Sequence, residues 1–262
     1  MDGNRVLELE GVHNFRDYGG YAVTGGGRVR RGLLWRSGQH FGATDADLGR
    51  IAALNLTSFF DLRTSRERAS HPCRRLTGFS GEVYFSDDPT RERAPHLAAA
   101  RAITPQRDIA SMRENMRQNY ANIAFRPELI FMMRLYLAHL AQGKGASLVN
   151  CMAGKDRTGI AVAMVQMALM VHRDDVIADY LLTNSVGNVG ARIAAGAETI
   201  RAFAGEMDPD VVRVLMGVEA EYLERTFDAI NDRHGSIDIY LSEVLGVDAA
   251  MKAQLVRQLV EF

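Results

Sequence analysis

The chain is short of cysteine. Cys73 and Cys151 are the only two in 262 residues, too few for a disulfide framework, which fits a reducing cytoplasm. It also lacks net charge: a formal value of −1 gives no global attraction to nucleic acid or to an anionic membrane, so any preference for anionic substrates must be local. No apolar stretch is long enough to span a bilayer, which excludes stable membrane insertion. The start, Met1-Asp2-Gly3-Asn4-Arg5, lacks the basic opening and apolar run of a signal peptide. The expected compartment is therefore cytoplasmic, with leaderless secretion left open. No His/Cys/Asp/Glu cluster has metal-ligand spacing, so neither metal nor cofactor is expected. There is no internal repeat, low-complexity tract or Pro/Gly/Ser-rich linker. At 47% hydrophobic, residues 1–262 can bury the core of a single domain. Nothing in the pattern fixes an oligomeric state.

What the chain does have is one chemically dense stretch, Ser147–Val171. Ser147-Leu148-Val149-Asn150 reads as a short buried strand. The last fifteen residues are apolar on nearly every side of a helix, with Gln166 the one polar residue after Thr158, so that helix should be buried. Between them lies Cys151-Met152-Ala153-Gly154-Lys155-Asp156-Arg157.

A strand that turns straight into a helix leaves the first helical N–H groups unpaired and pointing at the turn. With the positive end of the helix dipole they form an anion site. Here Met152, Ala153 and Gly154 would supply main-chain donors, with Gly154 free to take conformations closed to other residues. Arg157 can grip two phosphate oxygens with its planar fork. Cys151 then falls under the phosphorus. A free thiol titrates near ~8.5 and is a poor nucleophile at neutral pH. Lowering that by three units would take about 4 kcal/mol, against roughly 0.3–2 from a helix dipole. The converging N–H groups, Arg157 and the Thr158 hydroxyl must share the task. Asp156 is the nearest acid for a departing oxygen, and Lys155 adds a second positive charge at the mouth, favouring substrates with more than one phosphate. An ATP-binding loop fails on sequence. Gly154-Lys155 is followed by Asp156 rather than Ser or Thr, and Val149 stands where the leading Gly should be.

The remaining chain alternates strands and helices. Gly32–Arg36, Leu56–Leu62 and Glu82–Phe85 read as strands, and Thr44-Asp45 can cap a helix to about Leu54. Asp61 and Arg63 follow at the strand end where open α/β sheets place their sites, so Arg63 is expected either to brace or supplement the cradle or to form a purely structural ion pair. Arg66-Glu67-Arg68 reads as an exposed helical face, and Arg28-Val29-Arg30-Arg31 as a solvated basic edge rather than a recruiting patch. Arg16 and Asp17 are expected to pair with each other or to brace the loop. His13 reads as structural, Cys73 as a bystander and Met164, Met167 and Met170 as core. From Thr90 to Asn122 large apolar residues become scarce. This suggests a helical insertion at about 90–125, including a helix from about Asp108 to Ile123. Arg126-Pro127-Glu128 then starts a helix with Pro at its first position. About five more helices follow the central one, near 173–184, 188–204, 218–234, after Ser236 and after Asp248.

Cys-Met-Ala-Gly-Lys-Asp-Arg-Thr-Gly at 151–159 resembles the signature loop of the cysteine-dependent phosphatases. The variant is similar to that of the bacterial tyrosine/serine phosphatases akin to dual-specificity and phosphoinositide phosphatases. Asn14-Phe15-Arg16-Asp17-Tyr18-Gly19-Gly20, Leu34-Trp35-Arg36-Ser37-Gly38, Phe60-Asp61-Leu62-Arg63, Val176–Leu181 and Gly217–Leu223 match further motifs of that family. The resemblance implies an α/β fold, a central sheet flanked by helices, with the insertion at 90–125 as a candidate lid, a fixed surface subdomain being the alternative. It implies a phosphocysteine intermediate without metal, and a phosphorylated protein or a phosphoinositide as substrate. By position Cys151 is then the nucleophile, Arg157 the phosphate clamp, Asp156 the proton donor and Lys155 a specificity contact. Asp87 and Asp88 are rivals to Asp156, because related phosphatases often carry the acid on a separate loop. One position departs: the family usually has His just before the cysteine, and here it is Asn150. The amide predicts a rate optimum displaced toward higher pH. Two other readings of the loop stay open, a persulfide sulfurtransferase and a non-catalytic phosphate-binding module.

Overall fold

Ala146–Asn150 is buried at all five positions, a pattern that requires cover on both faces of the strand. In a computed structural model, which describes residues 5–87, 108–205 and 207–262, this strand is the centre of the sheet. In chain order the main elements begin with β1 (Arg16–Asp17), β2 (Arg28–Val29), β3 (Leu34–Ser37), α1 (Asp45–Ala52), β4 (Leu56–Asp61), α2 (Ser65–Ser70) and β5 (Glu82–Phe85). They continue with α3 (Ile109–Ile123), α4 (Pro127–Ala141), β6 (Ala146–Asn150), α5 (Asp156–Ala168), α6 (Arg173–Leu181) and α7 (Val189–Ala204). The last are α8 (Pro209–Met216), α9 (Ala220–His234), α10 (Ala249–Leu259) and β7 (Val260–Glu261). The fold is α/β, as expected.

The sheet order is β1-β3-β6-β4-β5. Of its four pairings three are parallel and the one at the β1 edge is antiparallel, and the register brings Ser37, Asn150, Asp61 and Phe85 side by side. Four strands therefore deliver their C-terminal ends, and the loops after them, to one rim. Helix α5 leaves that rim and runs through the core, with Ile160, Ala161, Val162, Ala163, Met164 and Val165 all at 1% exposure or less. Burial of this all-round apolar helix is what fixes the loop before it.

Two local signals set the flanking helices. Thr44 and Asp47 form a capping box on α1, and Thr64 and Glu67 form one on α2. Helix α3 covers the second half of the 90–125 stretch and buries Met112, Met116, Tyr120, Ala121 and Ile123. That buried face packs the helix against α8 and α9. Residues 88–107, where the rest of the lid expectation falls, lie outside the described residues. Helix α8, capped by Asp208 with Pro209 at its start, was not anticipated, and neither was β7. That last strand pairs antiparallel with β2, and Arg30 donates from its main-chain N to Leu259 O at 2.7 Å and from Nε to Val260 O at 3.2 Å, so the Arg28–Arg31 cluster is the edge that receives β7.

Candidate active site

The loop between β6 and α5 is shaped by Gly154. Its φ is +68°, and a Cβ there would stand 2.5 Å from the Ser37 carbonyl carbon and oxygen and the Gly38 nitrogen. Both conformation and space require glycine. Lys155 follows in the right-handed helical region, and such a left–right pair turns successive N–H groups into one concavity. Among the described residues, none accepts a hydrogen bond from the main-chain N–H of Met152, Ala153, Gly154, Lys155 or Arg157. Helix α5 begins at Asp156 with its dipole aimed at the same place. Cys151, 2% exposed, stands directly after β6.

The Gly154 carbonyl is pulled outward, away from those donors. It accepts from Arg36 Nη2 at 2.9 Å and from Asn14 Nδ2 at 2.6 Å. Arg36 is held in turn by Asp179 Oδ2 at 3.1 Å. Arg16 donates to the Asp179 carbonyl at 2.8 Å and to Asn14 Oδ1. Arg16 and Arg36 are both completely buried. Burial, and then the charge of Arg36, pull Arg16 down to about 9, against the opposing pull of Asp179. Arg16 thus braces the loop through Asn14, while Asp17 does a separate job, accepting from Gly19 N and Gly32 N.

Arg157 stands on the other side. Its Nη1 donates to Leu62 O at 3.0 Å and to Glu67 Oε2 at 2.7 Å, and its Nη2 donates to Glu67 Oε1 at 2.8 Å. Burial works against the cation, but the Glu67 carboxylate outweighs it, with Cys151 and Asp156 adding to the pull, so Arg157 is held above the ordinary arginine range. Glu67 is 6% exposed. The expected exposed face at Arg66-Glu67-Arg68 is corrected at this residue, because the guanidinium of Arg157 draws the carboxylate inward.

Lys155 is a second correction. It is 1% exposed, and its ammonium donates to Asp156 Oδ1 at 2.9 Å and to Gly217 O at 3.3 Å. Its charge is spent inside the fold, not offered at the mouth. Asp156 also accepts from Tyr120 Oη at 2.6 Å, and Tyr180 Oη donates to Tyr120 Oη at 2.6 Å. Burial, then the Asp156 charge, push the Tyr120 hydroxyl well above its usual range, so it remains a proton donor. Of the rival acids, Asp87 points to solvent and pairs with Arg68, and Asp88 lies outside the described residues.

Arg63 does not reach the cradle. It grips Asp61 through Nε and Nη2, both at 2.8 Å, and donates to His71 O at 2.6 Å and to Cys73 Sγ at 3.1 Å. Asn150 Nδ2 donates to the same Asp61 at 3.3 Å. Arg63 therefore acts on the residue before Cys151, through Asp61. Thr158 Oγ1 is buried and makes no hydrogen bond among the described residues. Sequence reasoning missed Asn14, Arg36, Glu67, Tyr120 and Arg192. Arg192 is 3% exposed, bonds to Met216 O and to Thr183 O, and is pulled down by burial against the nearby Asp156 charge.

A model of the tyrosine phosphatase family matches residues 7–261. A Cupriavidus necator protein bearing the name of a tyrosine-protein phosphatase is 34% identical over 258 residues, 95% of this chain and 88% of its own. The triple specificity protein phosphatase PtpB of Mycobacterium tuberculosis is 32% identical over 264 residues, 91% of this chain and 93% of its own. A tyrosine-protein phosphatase of Nostoc commune is 26% identical over 140 residues, 53% of this chain and 44% of its own. With a match that runs almost from end to end and a cradle built as described above, the chain belongs to the tyrosine phosphatase family.

Proposed function

We propose that the protein hydrolyses phosphoric monoesters through a phosphocysteine on Cys151, with phosphotyrosine in proteins as its first substrate class. The observation that carries this reading is the division of labour on Arg157. Leu62 O and Glu67 occupy three of its five N–H donors, and the Nε edge of the fork is left for two oxygens of a phosphate. Those donors, with the unpaired N–H groups of the loop, match three equatorial oxygens that share charge in the transition state.

The chemistry then runs in two steps. The Cys151 sulfur attacks phosphorus in line. The bond from phosphorus to the ester oxygen breaks, and that oxygen takes a proton from Asp156. A water then attacks the phosphocysteine, gives a proton to the Asp156 carboxylate, and releases phosphate and the thiolate. Asp156 alternates between acid and base, and Lys155 and Tyr120 hold the base form.

Burial of Lys155 on Asp156 favours a single-phosphate substrate, since the second cation expected for multiply phosphorylated lipids is already paired. The name of the mycobacterial relative supports activity beyond phosphotyrosine, so phosphoserine peptides and phosphoinositides are the comparison. The test is kcat/KM for a phosphotyrosine peptide, a phosphoserine peptide and a soluble phosphoinositide bisphosphate. The phosphotyrosine peptide should lead by at least tenfold, which is about 1.4 kcal/mol of transition-state binding. A phosphoinositide that matches or exceeds it would reverse the substrate assignment.

A further inference from the structure

A feature that the proposed chemistry does not use is a half-open cavity of about 430 Å³ between α1, the first residues of β4 and the segment 74–81. No residue of the loop 151–158 lines it, so it is not the substrate site. Its volume lies in the range of small-molecule pockets.

The lining is apolar with one sign of charge. Leu48, Ile51, Phe59 and Phe79 form the body, Arg74 and Arg75 are the charged residues, and neither aspartate nor glutamate is among the residues that line it. Arg74 already donates to Ala43 O at 2.5 Å and to Asp45 at 2.6 Å. Arg75 is different. Its Nε is buried without a hydrogen-bond partner, and its guanidinium carbon stands 5.4 Å from the centroid of the Phe59 ring. Among the described residues no carboxylate pairs with it. A guanidinium beside an aromatic wall, in a lining that holds no carboxylate, suits an anion whose remainder is apolar. His40, at the end of the cavity where its Nε2 meets Ser37 Oγ at 2.9 Å, is pushed down to about 3 by burial and then by Arg75. It stays neutral and does not compete as a cation.

We propose that this cavity is a binding site for a medium-chain carboxylate, its headgroup on Arg75 and its chain along Leu48, Ile51, Phe59 and Phe79. The experiment is calorimetric titration of the full-length protein with decanoate and with decanol, both below their micellar range, for the unaltered chain, Arg75→Gln and Ala52→Phe. Ala52 lines the cavity, and a phenyl ring there fills it. The unaltered protein should take up one decanoate, bound at least tenfold more tightly than decanol. Arg75→Gln should abolish that preference and leave decanol binding in place. Ala52→Phe should weaken both ligands at least fivefold. Neither variant should change p-nitrophenyl phosphate turnover, because neither residue touches the cradle. Absence of saturable decanoate binding, equal affinity for decanoate and decanol in the unaltered protein, or binding that survives both substitutions would each overturn the proposal. The first two comparisons need no variant and decide it even if a substitution unfolds the chain.

Discussion

Glu67 holds Arg157 from behind with both carboxylate oxygens, at 2.7 and 2.8 Å, so the guanidinium reaches the cradle already aligned. The pair is buried on both sides, with side-chain exposures of 6% for Arg157 and 7% for Glu67. Glu67→Ala would leave an uncompensated buried cation, at a cost of about 3–5 kcal/mol. Glu67→Gln keeps the shape and removes the charge. It should lower kcat/KM roughly a hundredfold, as expected when a clamp shifts by about an ångström. Denaturant unfolding of both variants and the inhibition constant for inorganic phosphate check this: stability should fall for Ala more than for Gln, and phosphate affinity should fall for both.

Tyr120 donates to the same Asp156 oxygen as Lys155. A hydrogen bond to the charged form of a carboxyl favours that form, so losing it in Tyr120→Phe should make Asp156 keep its proton to higher pH. For phenyl phosphate, whose leaving oxygen needs the proton, the alkaline limb of the kcat/KM profile should move upward. A profile with an unmoved limb and a uniformly lower rate would reduce Tyr120 to a packing role.

Gly154→Ala should be among the most damaging single-methyl additions in the chain. The new Cβ would meet backbone atoms of Ser37 and Gly38 at 2.5 Å, at a φ of +68°, and backbone cannot step aside as a flexible side chain can. Expected are a loss of roughly 1–3 kcal/mol from the strained conformation alone and loss of vanadate binding. Thermal melting with and without vanadate reads both.

His40 makes stability depend on pH. Its folded value is about 3, against about 6.5 in an unfolded chain. The folded state therefore binds fewer protons, and the contribution is complete above pH 6.5 and lost as pH falls toward 3. Between pH 7.5 and 5 the protein should lose about 2 kcal/mol through this group. His40→Asn should flatten that part of the curve in urea unfolding at the two pH values.

The loop was legible because its chemistry requires consecutive residues. Cys151, Gly154, Arg157 and Thr158 fall within eight positions, between a short apolar strand and an all-round apolar helix. Its support was not, because each supporting residue reaches the loop across the fold. Arg36 meets Gly154 only when β3 lies parallel beside β6, and Tyr120 meets Asp156 across 36 positions of chain. Glu67 had a visible local signal, the Thr64-to-Glu67 capping box, but that predicts the start of a helix and says nothing of Arg157. Lys155 was misread because a lone lysine in a loop offers no sign of a neighbouring carboxylate that will bury it. The two-residue strands β2 and β7 carry no period at all, while Asp208-Pro209 was a helix start present in the sequence and passed over.

A sulfur nucleophile underlies the proposed chemistry, and the direct measurement is acid quenching of the enzyme during turnover of a phosphotyrosine peptide, followed by peptide mass analysis. The result expected is one phosphoryl group on the peptide that contains Cys151, absent in Cys151→Ser together with all turnover. A Cys151→Ser protein that still hydrolyses the peptide at the original rate, or a phosphoryl group carried on any other residue, would contradict it.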